Sequence, residues 1–219
     1  MSAWEKYGDV LTNQMSSVGA GGYAIIGLRY SLPIHNGKSE ELVQVTVYHN
    51  GSSVDSQQAG DTQLSGADTT EDEWEQWFSF DTKDWKTGTY SAQILVRDEI
   101  TGKNSELEEL AFDVVEPLTP NEVKLTGVQK PPTIRKGQPI TFTLQFKNIG
   151  DDDNSIVSKP SIRHEQGEWQ TPNDERVRLN IPAGESRSWE SGEFSLNYTG
   201  TYEFRLDEIG ITWNLTVTD

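Results

Sequence analysis

From Tyr23 onward the apolar and polar positions of the chain alternate with a period of two. That is the signature of strands with one buried face. Residues 23–30 form a first predicted strand. Residues 42–48 form a second, with Val43, Val45 and Val47 on one face. Asn50-Gly51 is the dipeptide favoured in type I′ hairpin turns and leads into residues 53–57. Residues 59–72 are polar, contain Gly and Asp, and read as a loop. Residues 74–80 and 89–96 alternate again, Thr101-Gly102-Lys103 reads as a turn, and 110–115 closes the series. Pro117 and Pro120 then stop strand pairing.

A second series begins at residues 122–125, and Pro131-Pro132 interrupts an edge. Its cleanest strand is 140–146, with Ile140, Phe142, Leu144 and Phe146 facing inward and Asn148-Ile149-Gly150 ending it. Further strands are predicted near 159–164, 177–181, 188–196, 201–206 and 211–217. One motif occurs in both series. Phe78-Ser79 precedes Thr87-Gly88-Thr89-Tyr90, and Phe194-Ser195 precedes Thr199-Gly200-Thr201-Tyr202. The chain therefore reads as two similar β-domains in tandem, residues 23–117 and 121–219. In each, Gly-x-Tyr suggests a tyrosine corner, where a tyrosine hydroxyl bonds back to backbone a few residues upstream.

The first residues differ. Trp4, Tyr7, Leu11, Met15 and Val18 recur every three or four positions, with Ser2 as a candidate N-cap and Glu5 three residues on. Gly19-Ala20-Gly21-Gly22 breaks this spacing. Residues 1–22 thus read as a short amphipathic helical arm on a glycine hinge. A helix this short is marginal alone, so its apolar stripe needs a partner, either its own domain or another subunit, and without one it frays.

Charge sets the environment. The 219 residues carry 35 acids and 18 bases, a net charge of −17. Residues 1–118 hold 20 acids and 7 bases (net −13), and 119–219 hold the other 15 and 11 (net −4). Seven Trp, seven Tyr and seven Phe argue for packed cores against acidic disorder. A folded, acidic surface of this kind suits a halophile, because concentrated salt screens carboxylate repulsion to within a few ångströms. The same charge disfavours nucleic acid and anionic lipid as partners. There is no Cys, so disulfides and thiol chemistry are excluded. No apolar run approaches the roughly 20 residues of a membrane-spanning helix. The start, Met1 to Lys6, lacks the basic and apolar regions of a secretory leader.

The stretch Gly137-Gln138-Pro139-Ile140-Thr141-Phe142-Thr143-Leu144-Gln145-Phe146-Lys147-Asn148-Ile149-Gly150 resembles the CARDB family of cell-adhesion-related domains from bacterial and archaeal surface proteins. Ile181-Pro182-Ala183-Gly184-Glu185-Ser186 and Thr199-Gly200-Thr201-Tyr202 follow in the family's order. The resemblance covers residues 122–218. It implies a seven-stranded sandwich, surface display and no catalytic residues. Between Ser158 and Asn180 the chain departs from the pattern with a longer, more polar insert. The first domain is similar to generic fibronectin- or immunoglobulin-like domains. The expected fold is therefore all-β, two tandem immunoglobulin-like antiparallel β-sandwiches preceded by the short helical arm.

Candidate chemistry is sparse. His35, His49 and His164 lie in different predicted elements and do not approach the convergent ligand set of a zinc site. Asp151, Asp152 and Asp153, with Asn154, supply hard oxygen ligands in one turn, but no calcium-loop spacing follows. They read first as a solvated hairpin, as do Asp68 and Glu71-Asp72-Glu73. No cofactor is expected beyond nonspecific cations. Paired carboxylates carry little weight among 35 acids, and there is no phosphate-binding loop or Gly-x-Ser-x-Gly elbow. Trp74 and Trp77 are three apart, so one faces the core and the other the surface. Trp85, in a loop, and Trp169, in the polar insert, are candidates for partner or carbohydrate contact. Trp4, Tyr7, Leu11 and Met15 join them as partner-binding candidates on the arm. Asn50-Gly51-Ser52, Asn197-Tyr198-Thr199 and Asn214-Leu215-Thr216 match the glycosylation acceptor pattern.

These features point to a non-enzymatic structural or adhesive component of an extracellular assembly. It is either a virion surface protein (decoration, turret or tail) or an exported cell-surface adhesion protein. A carbohydrate-binding accessory module is the alternative from another class. The expected partners are protein subunits of a shell, tail or envelope, with self-association, and the expected location is a virion or cell surface. The charge makes one prediction. The melting temperature should rise with potassium chloride concentration. Relief of about 1 kcal/mol of repulsion per domain shifts Tm by about 4–8 °C. Equal Tm in dilute and multimolar salt would contradict the high-salt reading.

Overall fold

A computed structural model describes residues 2–7, 10–64, 71–105, 107–172 and 176–219, with backbone alone for 2–7, 10–14 and 71–73. The described residues form strands and turns, with no helix among them. The chain divides into two compact units. Unit 1 is Met1–Val18 with Tyr23–Val115, and unit 2 is Gly19–Gly22 with Glu116–Asp219.

Unit 1 contains β1 (Ser2–Tyr7), β2 (Val10–Gln14), β3 (Ser17–Gly19), β4 (Tyr23–Pro33), β5 (Lys38–His49), β6 (Ser52–Leu64), β7 (Glu71–Asp81), β8 (Gly88–Asp98), β9 (Lys103–Asn104) and β10 (Glu108–Val115). One sheet has the order β2-β1-β4-β7, the other β3-β10-β8-β5-β6, with β9 on β8. The alternation read from the sequence supplies the inner faces. Ala24, Ile26 and Leu28 of β4 and Phe78 and Phe80 of β7 are buried, as are Val43, Val45 and Val47 of β5 and Ala92 and Ile94 of β8. Each of the Val, Ile, Leu and Phe side chains among them contributes roughly 1.5–3 kcal/mol when fully buried. Trp85 links the sheets. Its ring lies 6.3 Å from Phe80 of one and 4.9 Å from Tyr90 of the other.

Unit 2 contains β11 (Val123–Gln129), β12 (Thr133–Arg135), β13 (Pro139–Ile140), β14 (Thr143–Asn148), β15 (Asn154–Ser158), β16 (Pro160–His164), β17 (Val177–Ile181), β18 (Ser186–Glu190), β19 (Phe194–Ser195), β20 (Gly200–Leu206) and β21 (Ile211–Thr218). Its sheets are β11-β14-β18 and β12-β21-β20-β16, with two-stranded pairs β13-β19 and β15-β17. β12 runs parallel to β21, and the neighbouring pairs are antiparallel. Phe142 anchors the core. Its ring meets Phe194, Phe204 and Trp213 edge-on at 5.2, 4.8 and 5.8 Å, the geometry the aromatic quadrupole favours.

The two units share a strand order around their tyrosine strands. In unit 1, β8 lies between β10 and β5; in unit 2, β20 lies between β21 and β16. The second sheets share β1-β4-β7 and β11-β14-β18 as successive neighbours.

Three local expectations are corrected. The N-terminal arm is not helical: β1 and β2 are antiparallel strands, with Tyr7 paired to Val10 and Trp4 to Gln14. The spacing of Trp4, Tyr7 and Leu11 fits a helix, but the Gly8-Asp9 dipeptide between them is a hairpin signal, and aromatic residues favour strands. Nor is Gly19–Gly22 a loose hinge, because the Gly19 N–H donates to Ser155 Oγ at 2.9 Å inside unit 2. A Cβ on Gly19 would come within 2.9–3.1 Å of Asn154, Ser155 and Pro117. Close approach, not flexibility, requires glycine there. Finally, the polar run after residue 59 continues β6 as far as Leu64. A Cβ on Gly60 would stand 2.8 Å from the Glu41 carbonyl, and pairing with β5 over Lys38–His49 holds this otherwise unpatterned strand.

Candidate functional site

The site grows from the repeated Thr-Gly-Thr-Tyr. Tyr90 opens β8, and its hydroxyl donates to the Lys86 carbonyl at 2.8 Å. Tyr202 stands at the same place on β20, and its hydroxyl accepts from the Tyr198 N–H at 3.2 Å. Both reach four residues upstream, as a tyrosine corner does.

Each corner faces a histidine across the sheet. His49 is the register partner of Tyr90, and His164 that of Tyr202. The His49 ring stacks on Tyr90 at 4.3 Å, and the His164 ring lies 4.6 Å from Tyr202. His49 Nδ1 donates to the Thr89 carbonyl at 3.0 Å and its Nε2 accepts from Asn50 Nδ2. His164 Nε2 donates to the Thr199 carbonyl at 2.9 Å. The glycine two residues before each tyrosine follows from this. Gly88 has φ 142° and Gly200 φ 123°, and a Cβ would meet His49 Cε1 at 2.9 Å or His164 Nε2 at 2.8 Å.

Beyond each histidine the strand turns through two left-handed residues. In unit 1 these are Asn50 (φ 50°) and Gly51 (φ 75°), as the sequence predicts. In unit 2 they are Glu165 (φ 46°) and Gln166 (φ 62°), residues with no turn signature. The Gly167 N–H closes that turn on the His164 carbonyl at 2.9 Å.

A surface depression lies beside each corner. The first, about 430 Å³, is lined by Tyr48, Asn50, Gly51, Thr89, Ser91 and Ala111, among others. The second, about 650 Å³, is lined by Arg163, Glu165, Gln166, Thr201, Glu203 and Asn214. In strand register the two linings correspond in that order. Tyr48 pairs with Ser91 and Arg163 with Glu203. Ala111 pairs with Ser91 and Asn214 with Glu203.

The anticipated residues fall in several places. Trp85 is not an exposed platform, since it is half-buried and stacked on Tyr90 at an interplanar angle of 13°. Trp169 is also half-buried, over the guanidinium groups of Arg163 (4.6 Å) and Arg205 (4.2 Å). This cation–π contact pins the polar insert to β16 and β20. Trp74 is buried and Trp77 half-buried, as their spacing required. Met15 is in the core, out of a partner's reach. The side chains of Trp4, Tyr7 and Leu11 lie outside the described residues, as do Asp68 and the side chains of Glu71, Asp72 and Glu73. Asp151, Asp152 and Asp153 form a turn organised from below. Buried Asn148 donates from Nδ2 to the Asp152 and Ile181 carbonyls, and Asp153 Oδ1 accepts from the Ala183 N–H. Among the described residues no group of three or more His, Cys, Asp or Glu could hold a metal ion.

Sequence reading missed the equivalence of His49 and His164. The available signal was spacing, since they precede Tyr90 and Tyr202 by 41 and 38 positions. It also missed two buried acids. Glu41 and Asp98 are register partners on the inner face of unit 1. Burial would raise Asp98, but hydrogen bonds from Thr101, His35 and Ile100 outweigh it and hold the carboxyl below its ordinary range. Glu41 is 2% exposed. Gln76 Nε2 donates to its Oε1 at 2.9 Å, and its Oε2 has no partner among the described residues. Burial, with the Asp61 charge adding, outweighs the Gln76 bond and pushes Glu41 up to about 7. Neither depression reaches these two acids.

No family model matches the chain, and no curated protein matches it. Solved structures with some likeness include a red sea bream transglutaminase, with a TM-score of 0.29 and 10% identity over 94% of this chain and 30% of that one. A Bacteroides uniformis β-glucuronidase gives 0.31 and 13% over 88% and 26%, and CBD12 from CALX1.2 gives 0.30 and 10% over 88% and 76%. The chain spans less than a third of the first two. None of them supplies a residue or an activity to this chain.

The Glu41 carboxyl generates a pH prediction. It holds its proton more tightly folded (about 7) than unfolded (4.5). Its contribution is therefore fully present below about pH 4.5 and is lost as pH rises through 7. Relative to Glu41→Gln, the wild-type protein should lose about 2–3 kcal/mol between about pH 5 and 8, read by urea unfolding at constant high salt. Parallel pH profiles would refute a protonated, buried Glu41.

Proposed function

We propose that the chain is a non-enzymatic, adhesive component of a surface assembly, built from two immunoglobulin-like units in tandem. Each unit offers the outer face of its tyrosine-corner sheet as a contact surface. Display on a cell or virus surface is the setting in which such a module acts. The observation that carries this reading is the correspondence of six lining positions between the two depressions, one per unit, on the same face beside the same corner.

Three further features support it. The sheet orders and the two corner bonds support the immunoglobulin-like reading of the units. The CARDB-like stretch 137–150 falls on β13, β14 and the turn after them. The three histidines are engaged in packing: His49 and His164 on their tyrosines, His35 on Asp98.

The test uses the full chain, labelled, and the surface of cells or particles from its source in concentrated salt. Ser91→Arg and Asn214→Arg each place a long cation in one depression at a solvent-facing strand position. Saturable adhesion that drops at least about tenfold in one or both variants, about 1.4 kcal/mol, is expected. Adhesion absent from the wild-type chain, or indifferent to both substitutions, would overturn the reading.

A further inference from the structure

We propose that the depression of unit 2 is a binding site for a neutral, polyhydroxylated ligand, a glycan without acidic sugars. The inference rests on the adhesive reading above and names its ligand class.

The backbone points there first. Unit 1 makes its turn with Asn50-Gly51, residues suited to positive φ. Unit 2 makes the same turn with Glu165-Gln166. Left-handed conformation costs an ordinary L-residue roughly 1–2 kcal/mol. Here two successive long side chains accept it where glycine or asparagine would relieve it. Both line the depression. Strain of this kind at a surface site is a functional signal.

The chemistry of the lining gives the class. Arg163 is already neutralised, with its Nε donating to Glu203 Oε2 at 2.6 Å. Gln166, Thr201 and Asn214 line the same depression and make no side-chain hydrogen bond among the described residues. Two amides and a hydroxyl each both donate and accept, which matches sugar hydroxyls. Glu165 adds an acceptor and a negative charge, and the chain's net charge is −17, so an acidic ligand is disfavoured.

An aromatic ring adjoins the depression. Trp169, half-buried, lies over Arg163, a lining residue. An aromatic edge beside a polar floor offers an apolar face for the C–H side of a pyranose and wet groups for its edge.

The probes are neutral oligosaccharides of hexoses and N-acetylhexosamines, immobilised as an array and then titrated against the full chain in concentrated salt. Binding is expected, weakened at least about tenfold by Gln166→Ala and by Asn214→Ala. Gln166 and Asn214 are exposed, so both variants should keep the wild-type melting temperature. No retention on any neutral glycan, or retention indifferent to both substitutions, overturns the proposal. A parallel arm treats the target surface with glycosidases or with protease. Adhesion that survives glycosidase and is lost to protease also overturns it while leaving the adhesive reading standing. Adhesion absent from the untreated wild-type control would remove the adhesive reading as well.

Discussion

In each unit an imidazole ring occupies the space where the side chain of a neighbouring residue would otherwise project. That residue must then be glycine. Gly88 yields to His49 and Gly200 to His164. The glycine's positive φ swings the chain so that the next residue but one, Tyr90 or Tyr202, enters its strand with the ring inward and its oxygen bonded to backbone. The histidine then covers that ring from the adjacent strand. Ring contact, glycine and corner bond depend on one another, and they set the end of the sheet from which the outer face is presented.

The frame is common and the surfaces are not. At equivalent positions unit 1 shows Tyr48, Asn50 and Ser91 while unit 2 shows Arg163, Glu165 and Glu203. Trp169, carried on the polar insert of unit 2, lies over two arginines whose charges are matched by Glu203 and Asp207. The polar insert is thus fastened to the face beside the depression. In a chain with so many acids, these paired arginines are locally neutral ground. A ligand that needs hydroxyl recognition more than charge fits that ground best.

Much of the frame was legible. Alternation located β4, β5, β8, β14, β20 and β21, because their inner residues are apolar and their outer ones polar. The corner tyrosines were legible because glycine two residues earlier has few other reasons to recur in the same motif. What failed did so for physical reasons. Trp4, Tyr7 and Leu11 satisfy a period near 3.6 by coincidence over a hairpin. β6 is polar on both faces, so only its pairing with β5 makes it a strand. In β15, Ser155, Ile156, Val157 and Ser158 are all buried, which leaves no alternation to read. Glu165-Gln166 has the composition of a helix or a loop, and its turn leads only to the single bridge between Ile162 and Gln170. The depression of unit 2 was invisible because its lining comes from β16, β20, β21 and that turn, brought together by register alone.

A double-mutant cycle on Gly88 and His49 tests the shared constraint most directly. Gly88→Ala, His49→Ala and the double variant would be unfolded by urea in concentrated salt. If the ring is what forbids a side chain at residue 88, the alanine should cost about 1–3 kcal/mol with His49 present. It should cost at least about 1 kcal/mol less without it, a coupling typical of residues in contact. The remainder is the positive φ. A coupling energy of zero would mean that the imidazole and the glycine are neighbours without consequence, and the account of both units would fail with it.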